Sequence, residues 1–257
     1  MSKFADTVIV IPCYNEASRL PVIEFEQYLH ENPSILFLFV NDGSKDNTLD
    51  VLHSLQSSLK NVSVLDLPVN GGKANAVREG FLYALANFSF EYIGYFDADL
   101  ATPLCEIKGL LADFYSNSKL QMVVGSRILR MGSEIDRNTK RHVFGRVFAT
   151  LASTTLLLPV YDTQCGAKLF TRPLASDIFQ EPFTSKWLFD VEIFARVAIK
   201  NGFPEVMKVI LEHPLQHWLE KGDSRIKGKD FLIFPFDLFK IYRKYHSKLK
   251  KNKKANQ

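Results

Sequence analysis

Tyr95-Phe96-Asp97-Ala98-Asp99-Leu100-Ala101-Thr102-Pro103 closes an apolar run that begins near Glu91, and its reading decides the fold. Such a run, ended by turn residues, predicts a buried strand over 91–96. Asp97 and Asp99 then stand where the strand leaves its sheet. One residue apart, their carboxylates can reach one hard divalent cation, Mg²⁺ or Mn²⁺. Alone, an Asp-x-Asp reads equally as an acidic turn, so the flanking sequence has to separate the two.

Upstream, Thr7 to Ile11 reads as a short buried strand, and Pro12-Cys13-Tyr14-Asn15-Glu16 as a loop, because Pro12 cannot continue a central strand. A helix is expected over Arg19 to His30 and a second strand over Ile35 to Val40, ending at Asn41-Asp42-Gly43-Ser44. Ser44 is placed to cap a helix whose Leu49, Leu52, Leu55 and Leu59 recur at helical spacing. A third strand, Val62 to Leu67, leads through Asn70-Gly71-Gly72-Lys73 into a helix with Val77, Phe81 and Leu85 on one face. Strands alternating with helices imply a parallel sheet whose ligand crevice lies beyond the carboxyl ends of its strands. Asp42, Lys73, Asp97 and Asp99 all fall at that edge, although a lone Lys73 would read as a surface lysine.

Downstream the order is less regular. A helix over Glu106 to Tyr115 and a strand over Gln121 to Gly125 precede Ser126-Arg127 and a basic loop with Arg130, Arg137, Lys140 and Arg141. Val147 to Leu158 is apolar but too short to span a bilayer and reads as a core helix. Asp190 and Glu192 open a helix that turns Ile193, Phe194 and Val197 inward; their charge there also suits the helix dipole. Val206 to Leu211 is the last expected strand. Phe231 to Tyr245 mixes aromatic and basic residues and runs into Lys248, Lys250, Lys251, Lys253 and Lys254. That segment suits either an anionic lipid surface or docking on the core with a solvated tail; the first is expected.

At 257 residues and 46% hydrophobic content, the chain can bury one substantial core. The net charge of +4 is concentrated in the C-terminal tail, so no basic groove for nucleic acid is expected. Cys13, Cys105 and Cys165 are odd in number and lack CxxC spacing, which argues against a disulfide framework or structural zinc. Without a charged leader or a run long enough to span a bilayer, the expected location is cytoplasmic, peripheral at the inner face of the membrane.

Pro12-Cys13-Tyr14-Asn15-Glu16, Asn41-Asp42-Gly43-Ser44 with Asp46-Asn47-Thr48, Gly72-Lys73 before Ala76-Val77-Arg78-Glu79-Gly80, and Asp97-Ala98-Asp99 resemble, in order, the motifs of family 2 glycosyltransferases. The resemblance implies the α/β GT-A fold. Gly125-Ser126-Arg127, Asp162-Thr163-Gln164-Cys165-Gly166-Ala167-Lys168-Leu169-Phe170, Phe189-Asp190-Val191-Glu192, and Trp218-Leu219-Glu220 before Asp223-Ser224-Arg225 are similar to the branch that glucosylates dolichyl phosphate. Two departures stand out: eukaryotic members carry an N-terminal transmembrane anchor, and Leu100 occupies a position that is commonly Gly. A bacterial-type relative acting on undecaprenyl phosphate is therefore expected.

The resemblance implies a UDP-sugar donor held by Pro12, Tyr14, Glu16, Asp42, Lys73 and Asp97, with Asp42 accepting from the base. It places a divalent cation at Asp97 and Asp99, and implies single-displacement inversion onto a polyprenyl phosphate. An ionised phosphate acceptor needs cations rather than a base; Arg127, Lys168 and Arg225 are the candidates, with Asp190 and Trp218 beside the acceptor. A saccharide hydroxyl acceptor would instead need Asp162 or Asp190 as general base, and UDP-GlcNAc or GDP-mannose remain alternative donors. Gln164 either orients a substrate group or holds its loop, Trp218 either covers the acceptor or packs in the core, and Cys165 reads as a small packing residue. A transferase domain is expected over 1–229, with an amphipathic helix and polybasic tail over 230–257.

Overall fold

A computed structural model describes residues 3–136, 139–221 and 228–254. The first elements are β1 (Lys3–Phe4), β2 (Thr7–Cys13), α1 (Val22–Glu31), β3 (Ile35–Asp42), α2 (Thr48–Ser58), β4 (Val62–Leu67), α3 (Lys73–Asn87), β5 (Phe88–Ser89) and β6 (Tyr92–Phe96). There follow α4 (Glu106–Ser116), β7 (Met122–Ser126), β8 (Glu134–Asp136), α5 (Thr139–Leu156), β9 (Ala167–Thr171) and α6 (Arg172–Ile178). The chain ends with α7 (Phe189–Asn201), α8 (Val206–Val209), β10 (Ile210–Pro214), β11 (His217–Leu219) and α9 (Gly228–Lys254). Two compact units result: Met1–Lys108 with Gly166–Pro182, and Gly109–Cys165 with Phe183–Gln257.

In unit 1 the strands lie in the order β9-β6-β2-β3-β4. β6, β2, β3 and β4 are parallel because α1, α2 and α3 return the chain between them. β9 runs antiparallel to β6, with Lys168 opposite Tyr95. Every residue of β3 is buried, as a continuous apolar run demands of a central parallel strand. Phe25 of α1 meets Phe37 and Phe39 edge-on at 5.6 and 5.1 Å. Phe81 of α3 stacks on Phe179 at 3.9 Å and meets Phe170 at 5.7 Å. Each ring so buried contributes about 1.5–3 kcal/mol.

Unit 2 pairs β7 with β10 in parallel, from Met122↔Ile210 to Ser126↔Pro214, and packs α5, α7 and α9 together. α7 is buried from Phe189 through Ala195. α9 turns Leu238, Ile241, Tyr245 and Leu249 inward, a stripe at three- and four-residue spacing. Polar bonds fasten the same helix: Ser185 Oγ donates to Asp237 Oδ2 at 2.7 Å, and Lys244 Nζ lies 3.3 Å from Glu192 Oε1. Among the described residues, no helix is long and apolar enough to cross a membrane.

Four local expectations are corrected. β2 continues through Pro12, which pairs with Val40; pairing with β6 stops at Val10, so Pro12 lies where a missing N–H is tolerated. Ser44 does not cap α2, which starts at Thr48; its hydroxyl instead accepts from Asn15 N at 3.0 Å. Val206 to Leu211 divides between α8 and β10. The core helix expected from Val147 is α5, which starts at Thr139 and is only half buried: Ala149, Ala152 and Leu156 face inward while Val147 and Leu151 are exposed.

Candidate active site

Unit 1 gathers its polar residues at the carboxyl ends of β2, β3 and β6. The loops after β2 and β3 are zipped together: Lys45 N donates to Asn15 Oδ1 at 2.7 Å, Glu16 N to Thr48 Oγ1 at 2.7 Å, and Ala17 N to Asp46 Oδ2 at 3.2 Å. Slight burial opposes ionisation of Asp46, but hydrogen bonds from Thr48 and Ala17 outweigh it and hold the carboxyl below its usual range. Glu16 is buried and paired with Arg19, whose Nη2 donates to Oε1 at 2.7 Å. Asp42, also buried, accepts from Gly71 N and Gly72 N at 2.8 Å each, one on each oxygen. It thereby fixes the turn that delivers Lys73 as the first residue of α3.

Lys73 Nζ lies 2.5 Å from Asp97 Oδ1. Asp99 is more enclosed and accepts from Ala101 N at 3.0 Å. Burial, then the negative charge of Asp97, push the Asp99 carboxyl above its usual range; the Ala101 N–H, Lys73 and Arg19 oppose this. Between the two carboxylates and Ala101, Leu100 adopts φ +52°. Glycine reaches that conformation freely, whereas an L side chain costs roughly 1–2 kcal/mol, which gives the Leu-for-Gly departure a backbone cost.

This donor set fits a divalent cation. Two repelling, partly desolvated carboxylates call for a positive charge, and their oxygens are the hard ligands Mg²⁺ and Mn²⁺ take. A Cβ at Gly166 would sit 1.9 Å from Asp97 Oδ2, so only glycine leaves room for that carboxylate. Beneath it, the Tyr95 ring carries Lys73 Nζ at 5.9 Å and Lys168 Nζ at 5.4 Å. Lys168 is fully buried in β9, away from solvent.

Unit 2 holds the second group. Arg127, just past β7, grips Asp162 with both arms of its fork: Nε to Oδ2 at 2.7 Å and Nη2 to Oδ1 at 2.8 Å. Arg127 N adds a third bond to Oδ2 at 3.1 Å, and Gln164 N donates to Oδ1 at 3.1 Å. The guanidinium lies 5.3 Å from the Trp218 ring. Asp190 is buried at the start of α7. Arg225 lies outside the described residues.

Sequence reasoning missed two residues that organise this group. Glu212 of β10 accepts from Tyr161 N at 2.9 Å and Asp162 N at 2.8 Å, and burial raises its carboxyl pKa despite those bonds. Arg146 of α5 lies 3.8 Å from the Tyr161 ring and donates to the Tyr161 carbonyl at 3.2 Å. A carboxylate interrupting an apolar strand was the available hint for Glu212; Arg146 had none. Arg127, Arg146, Tyr161 and Gln164 line a cleft of about 50 Å³, larger than one water needs. Thr163 Oγ1 and Gln164 Nε2 are buried at its wall with no hydrogen-bond partner, which marks it as a place for a polar group.

A mainly parallel α/β sheet with paired carboxylates past a central strand is the arrangement of the GT-A fold. The comparisons agree, and the chain belongs to glycosyl transferase family 2, whose family description matches residues 8–179. A dolichyl-phosphate beta-glucosyltransferase of Trichomonas vaginalis is 33% identical over 247 residues, covering 91% of this chain and 70% of that protein. The Homo sapiens protein of that name is 31% identical over 239 residues, 83% of this chain and 72% of its own. Among solved structures, glucosyl-3-phosphoglycerate synthase of Mycobacterium tuberculosis, in complex with Mn²⁺ and UDP-glucose, has a TM-score of 0.65. It is 15% identical, over 95% of this chain and 79% of that one, a likeness of fold.

Proposed function

We propose that this glycosyltransferase moves glucose from UDP-glucose to a polyprenyl phosphate of the dolichyl or undecaprenyl type, with inversion. The observation that carries this reading is the engagement of Asp162. A hydroxyl acceptor requires a general base, yet both Asp162 oxygens are taken by Arg127 and Asp190 is buried. A lipid phosphate is already ionised near neutral pH and attacks the anomeric carbon without surrendering a proton. The names of the relatives support the same acceptor and sugar.

Pro12, Tyr14 and Glu16 would frame the nucleoside, and Asp42 would accept from the uracil N–H while holding the Gly71-Gly72 turn. Asp97 and Asp99 would hold a divalent cation, which when bound neutralises charge on the departing diphosphate. Lys73, released from Asp97, would turn to the same phosphates as a point charge. Arg127, oriented by Asp162 and Trp218, would place the acceptor phosphate, with Gln164 donating from the cleft wall; Arg225 is assigned here from its motif alone. Lys168, being buried, would act by positioning Tyr95 and β9. Inversion follows from a single in-line displacement: the acceptor oxygen bonds to the anomeric carbon as the bond to UDP breaks.

Transfer to such a lipid calls for a membrane surface, and we assign it to residues 230–257 with the neighbouring face of α5, residues 1–229 being the transferase domain. The outer face of α9 exposes Ile233, Phe236, Phe239 and Tyr242, then Arg243, Lys250, Lys251 and Lys254. On α5, Thr150 and Thr154 return their hydroxyls to their own helix, so beside Val147 and Leu151 they present methyl groups. Apolar residues bounded by cations suit the anionic inner face of a membrane.

The test offers UDP-glucose, UDP-GlcNAc and GDP-mannose, each radiolabelled, with undecaprenyl or dolichyl phosphate and Mg²⁺ or Mn²⁺. Label from UDP-glucose should enter the organic phase. Transfer only to a saccharide would overturn the reading.

A further inference from the structure

The turn after Arg127 is braced, yet it shows two large apolar side chains to water. Arg130 N donates to Ser133 Oγ at 3.2 Å, that hydroxyl donates to the Arg130 carbonyl at 2.8 Å, and Gly132 supplies φ +86°. Arg130 Nη2 donates to the Pro214 carbonyl at 3.2 Å, and Glu134 N to Gln216 O at 2.7 Å where β8 joins β11. On this frame Leu129 is 67% exposed and Met131 fully so. Of fourteen large apolar side chains exposed among the described residues, only Ile23 and Val69 lie in unit 1; the other twelve, Leu129 and Met131 among them, lie in unit 2.

We propose that Leu129 and Met131 enter the hydrocarbon layer and contact the acceptor chain beyond its first two isoprene units. This rests on the polyprenyl phosphate reading. A membrane-held monophosphate keeps its charge at the interface and its chain directly beneath, so a residue that engages the phosphate must adjoin a surface that tolerates hydrocarbon. Leu129 and Met131 stand two and four residues beyond Arg127, and Arg130 between them places a cation at headgroup level. The tip is thereby a determinant of acceptor chain length, separate from the charged groups that read the phosphate.

The test compares the full chain with its Leu129→Ser/Met131→Ser variant, using UDP-glucose and a divalent cation. The acceptors are undecaprenyl phosphate in phosphatidylglycerol-containing vesicles and a water-soluble phosphate of two isoprene units. The variant should lose tenfold or more in kcat/KM on the long acceptor, mainly through KM, and stay within about twofold on the short one. Leu129→Ile/Met131→Leu should restore the long-chain rate. Equal losses on both acceptors, or none on either, would overturn the inference while leaving the acceptor class standing. A wild type that glucosylates neither phosphate would instead sink the acceptor reading, and this inference with it.

Discussion

Arg127 and Asp162 form a two-pronged ion pair, 2.7 and 2.8 Å, with both side chains mostly buried. Removing one partner of such a pair leaves an uncompensated charge, so Arg127→Ala should cost about 3 kcal/mol in denaturant unfolding. Arg127→Met with Asp162→Leu should recover most of that stability and remain inactive. Recovery of transfer by the double variant would mean that the pair serves only the fold.

Arg127→Lys separates charge from geometry. A lysine keeps the cation but loses the planar fork. Initial-rate assays should show at least a tenfold fall in kcat/KM for lipid phosphate with the donor KM unchanged.

At the carboxylate pair, Asp99→Asn should abolish transfer and weaken Mn²⁺ binding in titration calorimetry, with circular dichroism unchanged. Gly166→Ala should do nearly the same without touching a carboxylate, because the added methyl takes the place of Asp97 Oδ2. Undiminished Mn²⁺ affinity in both would remove the metal assignment.

Lys244 gives a pH prediction. Partial burial disfavours its charge, but the bonds to Tyr245 and Glu192 prevail and raise its pKa above 10.5. The charged form therefore stabilises the fold fully below 10.5, and that contribution fades as pH rises through the higher folded value. Thermal unfolding of wild type and Glu192→Gln from pH 7 to 11 should show the wild-type advantage shrinking only at the alkaline end. With Lys244 nearly half exposed, the difference will be small.

The two faces of α9 should respond oppositely. Ile241→Ala removes a fully buried side chain and should cost about 2–5 kcal/mol. Phe239→Ser should change stability by no more than about 0.5 kcal/mol, yet weaken sedimentation with anionic vesicles. Unchanged sedimentation would remove the membrane role of that face.

The place of the carboxylate pair was legible in sequence because it is local: an apolar run that forms β6, then Asp97 and Asp99. The same holds for β3 and for Lys73 after two glycines. For Glu212 the sequence offered only a carboxylate in an apolar strand; its role was not legible, since the amides it holds lie about 50 residues earlier in the chain. Composition marked the α5 and α9 segments as apolar, but which side of α9 faces protein depends on tertiary contacts such as Lys244 with Glu192 and Ser185 with Asp237. Pro12 was misplaced because the rule against central proline applies only where a strand has neighbours on both sides.

β9 and α6 join unit 1 only after the chain has passed through residues 109–165. They bring Phe170 and Phe179 to Phe81, and Gly166 to Asp97. A ribosome that has released only the first 108 residues has therefore made the four parallel strands β2, β3, β4 and β6 of this sheet, but not the glycine that faces the Asp97 carboxylate. Completion of unit 1 waits on a late segment, and a prematurely terminated product would lack β9, α6 and the glycine that makes room for the Asp97 carboxylate.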